Sequence, residues 1–297
     1  MRIVYFLFTI LAIFYSFNVL SAESLAIEQL TSEQGKWRLG LNTVYANSET
    51  SAVNIGDSIQ VQTGPGQYVS IPASVSSTRI NTDSVVLVPT VRYGISENLE
   101  VAWRMSFSHT SIRSENNNGN TSESYSRFAD SWLGFDYRLT KDRNKINYSV
   151  FADVALAENT KTQGSNLVHG RAYSIGLSMY RVYDPIVMTN VVAYQMNLSR
   201  DSNGQSLEPG DALTFSPGVS FAPNRDTNLN IGFSWTNRQS SKLDGNKTSI
   251  RRTSTSLNLG FAYAWSDPLS IFTSVSTNIS GGDGASIGVS MVYEFEK

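Results

Sequence analysis

Eight ionisable side chains that alternate with apolar residues are the groups whose chemistry could serve transport. They all lie between positions 38 and 153 of the 297-residue chain, and they are Arg38, Arg92, Glu100, Arg104, Asp130, Asp136, Arg138 and Asp153. Successive side chains of an extended strand point to opposite faces, so each of these groups lies opposite an apolar face. Rings of charged side chains set the selectivity of pores, and the set is therefore the predicted lining of a pore. The alternative is that these groups form a salt-bridged network that fills a narrow barrel.

Candidates for catalysis are few. The chain has two histidines, His109 and His169, and no cysteine. A histidine base needs a positioned nucleophile and an orienting partner. The spacing supplies neither, although Ser108 and Ser111 lie close to His109 in the sequence. The sequence predicts a protein that is not an enzyme. A lipid-active enzyme would require His109 to lie against a serine in a lipid-facing cleft.

No metal ion, cofactor or nucleic acid is expected to bind. Cysteine is absent, the two histidines are far apart, and Asp201–Gly204 is too short for a calcium loop. The 23 basic and 25 acidic residues leave a net charge of -2. A chain so close to neutral does not favour nucleic acid as a partner.

The strands that must position the charged groups are clearest at the end of the chain, in 285–295. One face of this stretch carries Ile287, Val289, Met291, Tyr293 and Phe295, and the other carries mainly serine and glycine. The same alternation recurs about a dozen times without an intervening helix. An arginine on the lipid-facing side at mid-bilayer costs about 2–4 kcal/mol, so the charged faces must point into a lumen and the apolar faces outward.

The connections between these strands alternate between short turns and long polar loops, as in outer-membrane barrels. The sequence therefore predicts an all-β fold, a transmembrane antiparallel β-barrel of about 12 strands with short periplasmic turns and long extracellular loops. The connection 47–82 is the longest, and it contains a hairpin signal around Gly64-Pro65-Gly66. We expect it to project outward or to fold over the mouth, and we expect 114–127 to be a polar loop.

Three residues disagree with regular strands. Pro89 and Pro217 lie inside strands that should pair on both sides, so bulges or kinks are expected there. Asn190 falls on the lipid-facing side unless its strand slips by one residue. Aromatic residues near the strand ends, such as Trp37 and Tyr293, predict girdles at the membrane interfaces rather than a stacking site.

The start of the chain predicts three segments. Residues 1–22 carry one basic residue, a long apolar run and the small pair Ser21-Ala22, which indicates a signal peptide. Residues 23–36 are expected to be a periplasmic leader or a small plug that is helical in part. Residues 37–297 are expected to form the barrel.

Several stretches of the chain resemble a family of Gram-negative outer-membrane channels, the phenol meta-pathway-type transporters, and related barrels of export systems, including the channel that secretes functional amyloid. The matching residues form leader, turn and strand motifs, and they are 27–35 (IEQLTSEQG), 91–101 (VRYGISENLEV), 183–185 (YDP), 209–211 (PGD) and 257–263 (LNLGFAY). The resemblance implies a twelve-stranded barrel and, more loosely, transport or secretion.

The predicted function is an outer-membrane channel that passes small polar or aromatic solutes through its lumen. Two alternatives remain open: a secretion channel for an exported polypeptide, and a non-conducting structural or adhesive barrel that binds a partner through its extracellular loops. The expected partners are outer-membrane lipid, the barrel-assembly machinery, a small solute or an exported polypeptide, and a second copy in a homo-oligomer.

Overall fold

A computed structural model describes residues 32–50, 58–64, 66–72, 79–116, 119–142, 145–159, 167–202 and 204–295. The predicted signal peptide and most of the predicted leader lie outside these residues. Within this described part of the chain, no helix has the length and apolar character needed to cross a bilayer.

Twelve long strands form the wall of a closed antiparallel barrel, which confirms the predicted fold class and strand number. The strands are β1 Trp37–Thr50, β2 Arg79–Gly94, β3 Leu99–Asn116, β4 Gly119–Arg138, β5 Asn147–Asn159, β6 Ala172–Tyr183, β7 Ile186–Asn197, β8 Ala212–Phe221, β9 Thr227–Arg238, β10 Arg252–Ser266, β11 Leu269–Ser280 and β12 Asp283–Glu294. Each strand pairs with its neighbours in the sequence. The first and last strands close the sheet from Arg38–Glu294 to Glu49–Asp283.

The alternation of side chains explains why this sheet closes and crosses a membrane. In β12, Ile287 and Met291 are 52% and 49% exposed on the outer face, whereas Gly288 between them is buried. Apolar residues cover the outer face of the other strands in the same way, from Leu39 in β1 to Val275 in β11. Closure pairs the edge strands with each other, so no row of backbone groups is left unpaired in lipid.

The two ends of the barrel differ as predicted. Short turns at 95–98, 184–185, 223–226 and 267–268 join strands at the end where β1 begins and β12 ends, which is the periplasmic end in barrels of this type. The prediction of a loop at 114–127 is wrong, since β3 and β4 stay paired up to Asn116–Gly119. Both faces of these strand ends are polar, so they lack the apolar pattern that identifies a strand.

Short additional strands lie at the extracellular end of the barrel. Arg200–Ser202, Gln205–Glu208, Lys242–Leu243 and Asn246–Lys247 form a four-stranded sheet, which we call the loop sheet. It joins the connection after β7 to the connection after β9. A short strand, Leu167–His169, pairs with the end of β5.

The three irregular residues are accommodated without a change of register. Pairing between β2 and β3 stops at Leu87–Phe107 and resumes at Thr90–Arg104 with the same register, and β8 skips Pro217 against β9 in the same way. The bulges expected at Pro89 and Pro217 are therefore absent from these ladders. The nearest register shift lies at Ser106/Phe107, against β4. Asn190 pairs with Met179 and Pro217 without a slip, so it lies on the lipid-facing side.

Candidate functional site

A hairpin enters the lumen from the extracellular end, and it is the main feature of the barrel interior. It comprises Ser58–Gly64 and Gln67–Pro72, which pair with each other, and we call it the inner hairpin. The Asn42 side chain of β1 donates a hydrogen bond to the Thr63 carbonyl at 2.8 Å. Val61 and Val69 are 2% and 3% exposed. They belong to an apolar cluster whose other members are Val44, Ala46, Val86, Val88 and Ala129 of the barrel wall.

The tip of the inner hairpin crosses the lumen and contacts the wall at β5 and β7. A Cβ atom placed on Gly66 would lie 3.4 Å from Ala193 Cβ, 3.5 Å from Phe151 Cζ and 3.6 Å from Val191 Cγ1. Gly66 has a φ of 70°, a conformation that glycine adopts without steric cost. For the described residues of this connection, the prediction that it projects outward or folds over the mouth is wrong. Its valines instead pack against inward-facing wall valines, which are exceptions to the polar lumen pattern.

The segment Ser32–Lys36, which we call the N-terminal segment, approaches the lumen from the periplasmic end. The backbone N–H of Ser32 donates to a Glu100 carboxylate oxygen, and Ser32 is 2% exposed. Gly35 N–H donates to the Gly94 carbonyl at 2.8 Å. Lys36 Nζ lies 2.8 Å from Glu294 and 2.9 Å from Glu33. The hydrogen bond to Glu294, followed by that to Glu33, raises the pKa of Lys36. The predicted leader was expected to be helical in part, but its described residues 32–35 do not form a helix.

The predicted pore-lining charges lie on the inner face of β1–β5, which we call the charged half. Arg38 pairs with Glu294 of β12. Arg92 Nη1 lies 3.4 Å from Glu100 Oε1, and the Glu100 side chain is 3% exposed. The Arg104 guanidinium carbon lies 5.1 Å from the centre of the Trp132 ring, a cation–π contact. Four of the eight predicted groups are therefore held by ion pairs or by a cation–π contact.

The remaining four members are packed into the same region. Asp130 is buried, while Asp136, Arg138 and Asp153 are half-buried. Asp130 Oδ1 and Asp136 Oδ1 accept no hydrogen bond from the described residues. The eight predicted groups comprise four arginines and four carboxylates, so their formal charges cancel.

The inner face of β8–β12, which we call the neutral half, has a different chemistry. Its side chains are mainly Ser, Thr, Asn, Gly and Ala, and they hydrogen-bond to one another, as in Ser216–Ser234 at 2.8 Å and Asn258–Ser234 at 3.2 Å. Phe272 is its one aromatic residue in these fully described strands. Ser274 and Asn278 are exposed although they point inward, so open space borders this wall.

A buried ion pair at the extracellular end escapes prediction from the sequence. Arg200 of the loop sheet pairs with Glu158 at the end of β5, and their side chains are 13% and 11% exposed. The sequence places both residues in polar connections 42 positions apart. No local pattern signals such a contact, because tertiary folding of the loop sheet creates it.

His109 lies on the outer face beside a serine, as the enzyme hypothesis would require. Its Nδ1 is 2.8 Å from Ser126 Oγ, and the pair lines a cleft of about 410 Å³ with Phe107, Ser108 and Arg127. The other ring nitrogen has no hydrogen-bond partner among the described residues, so none of them orients the ring as the third member of a triad would. His169 is exposed on the short strand beside β5. Among the described residues, no three His, Cys, Asp or Glu side chains converge to hold a metal ion.

Comparison with known proteins identifies the fold. No family model matches the chain, and no curated protein sequence matches it. The COG4313 outer membrane channel from Pseudomonas putida F1 is similar in structure, with a TM-score of 0.62 and 13% identity over 94% of this chain and 100% of that chain. The transport unit of the autotransporter AIDA-I from Escherichia coli has a TM-score of 0.50 and 10% identity over 95% of this chain and 94% of that one. The chain therefore has the fold of an outer-membrane β-barrel.

Proposed function

We propose that the protein is an outer-membrane channel through which small solutes diffuse along the neutral half of the lumen. The observation that carries this proposal is the uneven filling of the barrel. The inner hairpin packs against the charged half, and its tip contacts the wall at β5 and β7. On the other side of the lumen, the inward-facing residues Ser274 and Asn278 of β11 are exposed. The space beside the hairpin is the proposed path.

The two alternatives are less well supported. An exported polypeptide would need both the inner hairpin and the N-terminal segment to leave the lumen, and both are held by buried contacts at Val61, Val69 and Ser32. In the adhesive-barrel alternative, the connection 47–82 would present its hairpin to an external partner. The described hairpin of that connection lies inside the barrel instead, where such a partner would not reach it.

Single-channel conductance of the refolded protein in planar bilayers tests the proposal. The key variant replaces 51–79 by an Asn-Gly turn, a connection that suits the antiparallel pair Thr50–Ile80. We expect a steady conductance in the wild type and a several-fold larger one in the variant. A matched control shortens the exposed turn of the loop sheet at Asp244–Gly245 and should conduct like the wild type. The absence of conductance from both the wild type and the hairpin variant would overturn the proposal.

An engineered disulfide tests whether the hairpin tip sits in the lumen in the working channel. The chain has no cysteine, so Gly66→Cys with Ala193→Cys introduces the only two thiols. Their Cβ atoms would lie 3.4 Å apart, close to the range of about 3.5–4.5 Å found in disulfides. We expect the bond to form on oxidation and the conductance of the oxidised protein to match that of the same variant in its reduced form. A bond that never forms in folded protein would contradict the inward position of the tip.

A further inference from the structure

We infer that the channel selects uncharged, hydroxyl-rich small solutes over ions of similar size. This inference rests on the proposed function, since it names the solute class that the same path would pass. It reverses the expectation that the arginines and carboxylates of the charged half control selectivity.

The charged half is covered from both ends of the barrel. From the extracellular end, the valines of the inner hairpin pack against β1, β2 and β4. From the periplasmic end, the N-terminal segment contacts Glu100. Between them, Arg104 stacks on Trp132, and Asp130 is buried. The formal charges of the eight predicted groups also cancel. A solute that moves along the opposite wall therefore meets no net charge from this set.

The face that the inner hairpin turns away from its apolar cluster is neutral. Val61 pairs with Val69, so the neighbouring pairs Gln60–Ser70 and Gln62–Tyr68 lie on the other face of the hairpin. Gln60 Nε2 donates to Ser70 Oγ at 2.7 Å, and Ser70 is exposed. Amide and hydroxyl groups thus line this side of the open space.

The barrel wall across this space is neutral along its whole middle section. In the fully described strands β8–β12, charged residues of the inner face occur only at the ends, at Arg238, Arg252 and Glu294. Ser274 lies between Gly260 and Gly288 of the adjacent strands, so its side chain is uncrowded toward the lumen.

This chemistry favours one class of solute. Hydroxyl and amide groups both donate and accept hydrogen bonds, so they can replace the water around a polyol or sugar. An ion that loses water in the same space gains no opposite charge, and the desolvation of an unpaired charge is costly. Neutral hydroxylated solutes should therefore pass more easily than ions.

Swelling of proteoliposomes containing the full-length channel tests this inference with three solutes of similar size: sorbitol, gluconate and N-methylglucamine. We expect sorbitol to enter at least several-fold faster than either ion. We also expect the reversal potential in a KCl gradient to stay near zero. Strong preference of the wild type for gluconate or for N-methylglucamine would overturn the inference.

Charge substitutions locate the selectivity. Ser274→Asp should favour the cation and Ser274→Lys the anion, while the neutral control Ser274→Asn should leave the ratios unchanged. Arg104→Gln should leave them unchanged as well, because Arg104 lies in the covered network. A wild-type ion preference that Arg104→Gln abolishes would assign selectivity to the charged half and refute the inference. Failure of every solute to enter, even with 51–79 replaced, would instead refute the channel itself.

Discussion

The charged half and the neutral half of the barrel have the same kind of outer face, but they differ in the side chains and segments that fill their inner face. Both present apolar residues to lipid, such as Leu39 in β1 and Val275 in β11. Inside, the charged half is filled by the inner hairpin, the N-terminal segment and paired ions. The neutral half carries short side chains beside open space. The comparison teaches that lumen charges can pack into a filled network while uncharged groups face the space that we propose as the path.

The largest effect is expected where the outer face is broken in the neutral half. Val275→Arg places a cation on the lipid-facing side of β11, where Val275 is 45% exposed. It should lower the free energy of unfolding by about 2–4 kcal/mol, measured by urea titration in lipid vesicles. The adjacent Ser274→Arg points into the lumen and serves as the matched control. Equal losses in both variants would contradict the assignment of the two faces.

Removal of one partner in the covered network should have the next largest effect. Glu100→Ala leaves Arg92 and the Ser32 N–H without the carboxylate that they share. The loss of hydrogen bonds to a buried charged group should cost about 1–3 kcal/mol in the same titration. The N-terminal segment should also become sensitive to protease. Asp267→Ala in an exposed periplasmic turn is the control and should change neither quantity.

A smaller effect is expected at the tip of the inner hairpin, where two glycine substitutions distinguish the cost of backbone strain from the effect of a new contact. Gly66→Ala and Gly245→Ala both place a side chain at positive φ, 70° and 81°, with a cost of about 1–2 kcal/mol each. A Cβ on Gly66 would contact Ala193 and Phe151, whereas one on Gly245 meets nothing within 4 Å. Only Gly66→Ala should therefore alter the conductance or its noise. Identical recordings from the two variants would show that the tip does not bear on the path.

The smallest effect is expected outside the lumen. His109→Ala removes the hydrogen bond to Ser126 on the outer face, at an exposed site. Stability should change by less than about 0.5 kcal/mol, and solute entry should be unchanged. Ser126→Ala should behave in the same way. A loss of hydrolysis of a lipid ester in both variants, relative to active wild type, would revive the enzyme hypothesis.

The strands were predictable because a barrel wall has a simple local rule. Alternation with period two placed Arg92, Glu100 and Arg104 on one face and Val101, Trp103 and Met105 on the other, and the register confirms these faces. The rule failed above the membrane, at 114–127, since water contacts both faces there. The bulges expected at Pro89 and Pro217 are absent from the ladders with β3 and β9, where pairing is interrupted near each proline without a change of register.

The sequence by itself determined a closed, membrane-spanning barrel of twelve strands, together with the inward side of the eight charged residues that it singled out. It could do so because lipid penalises polar groups on the outer face in every strand. Only the tertiary structure decided how the lumen is filled. Three contacts show this, because each joins residues that are distant along the chain. Val61 and Val69 pack with Val44 and Val86, Gly66 approaches Ala193, and Arg200 pairs with Glu158. Such contacts depend on which surfaces meet after closure, and no local pattern encodes that meeting.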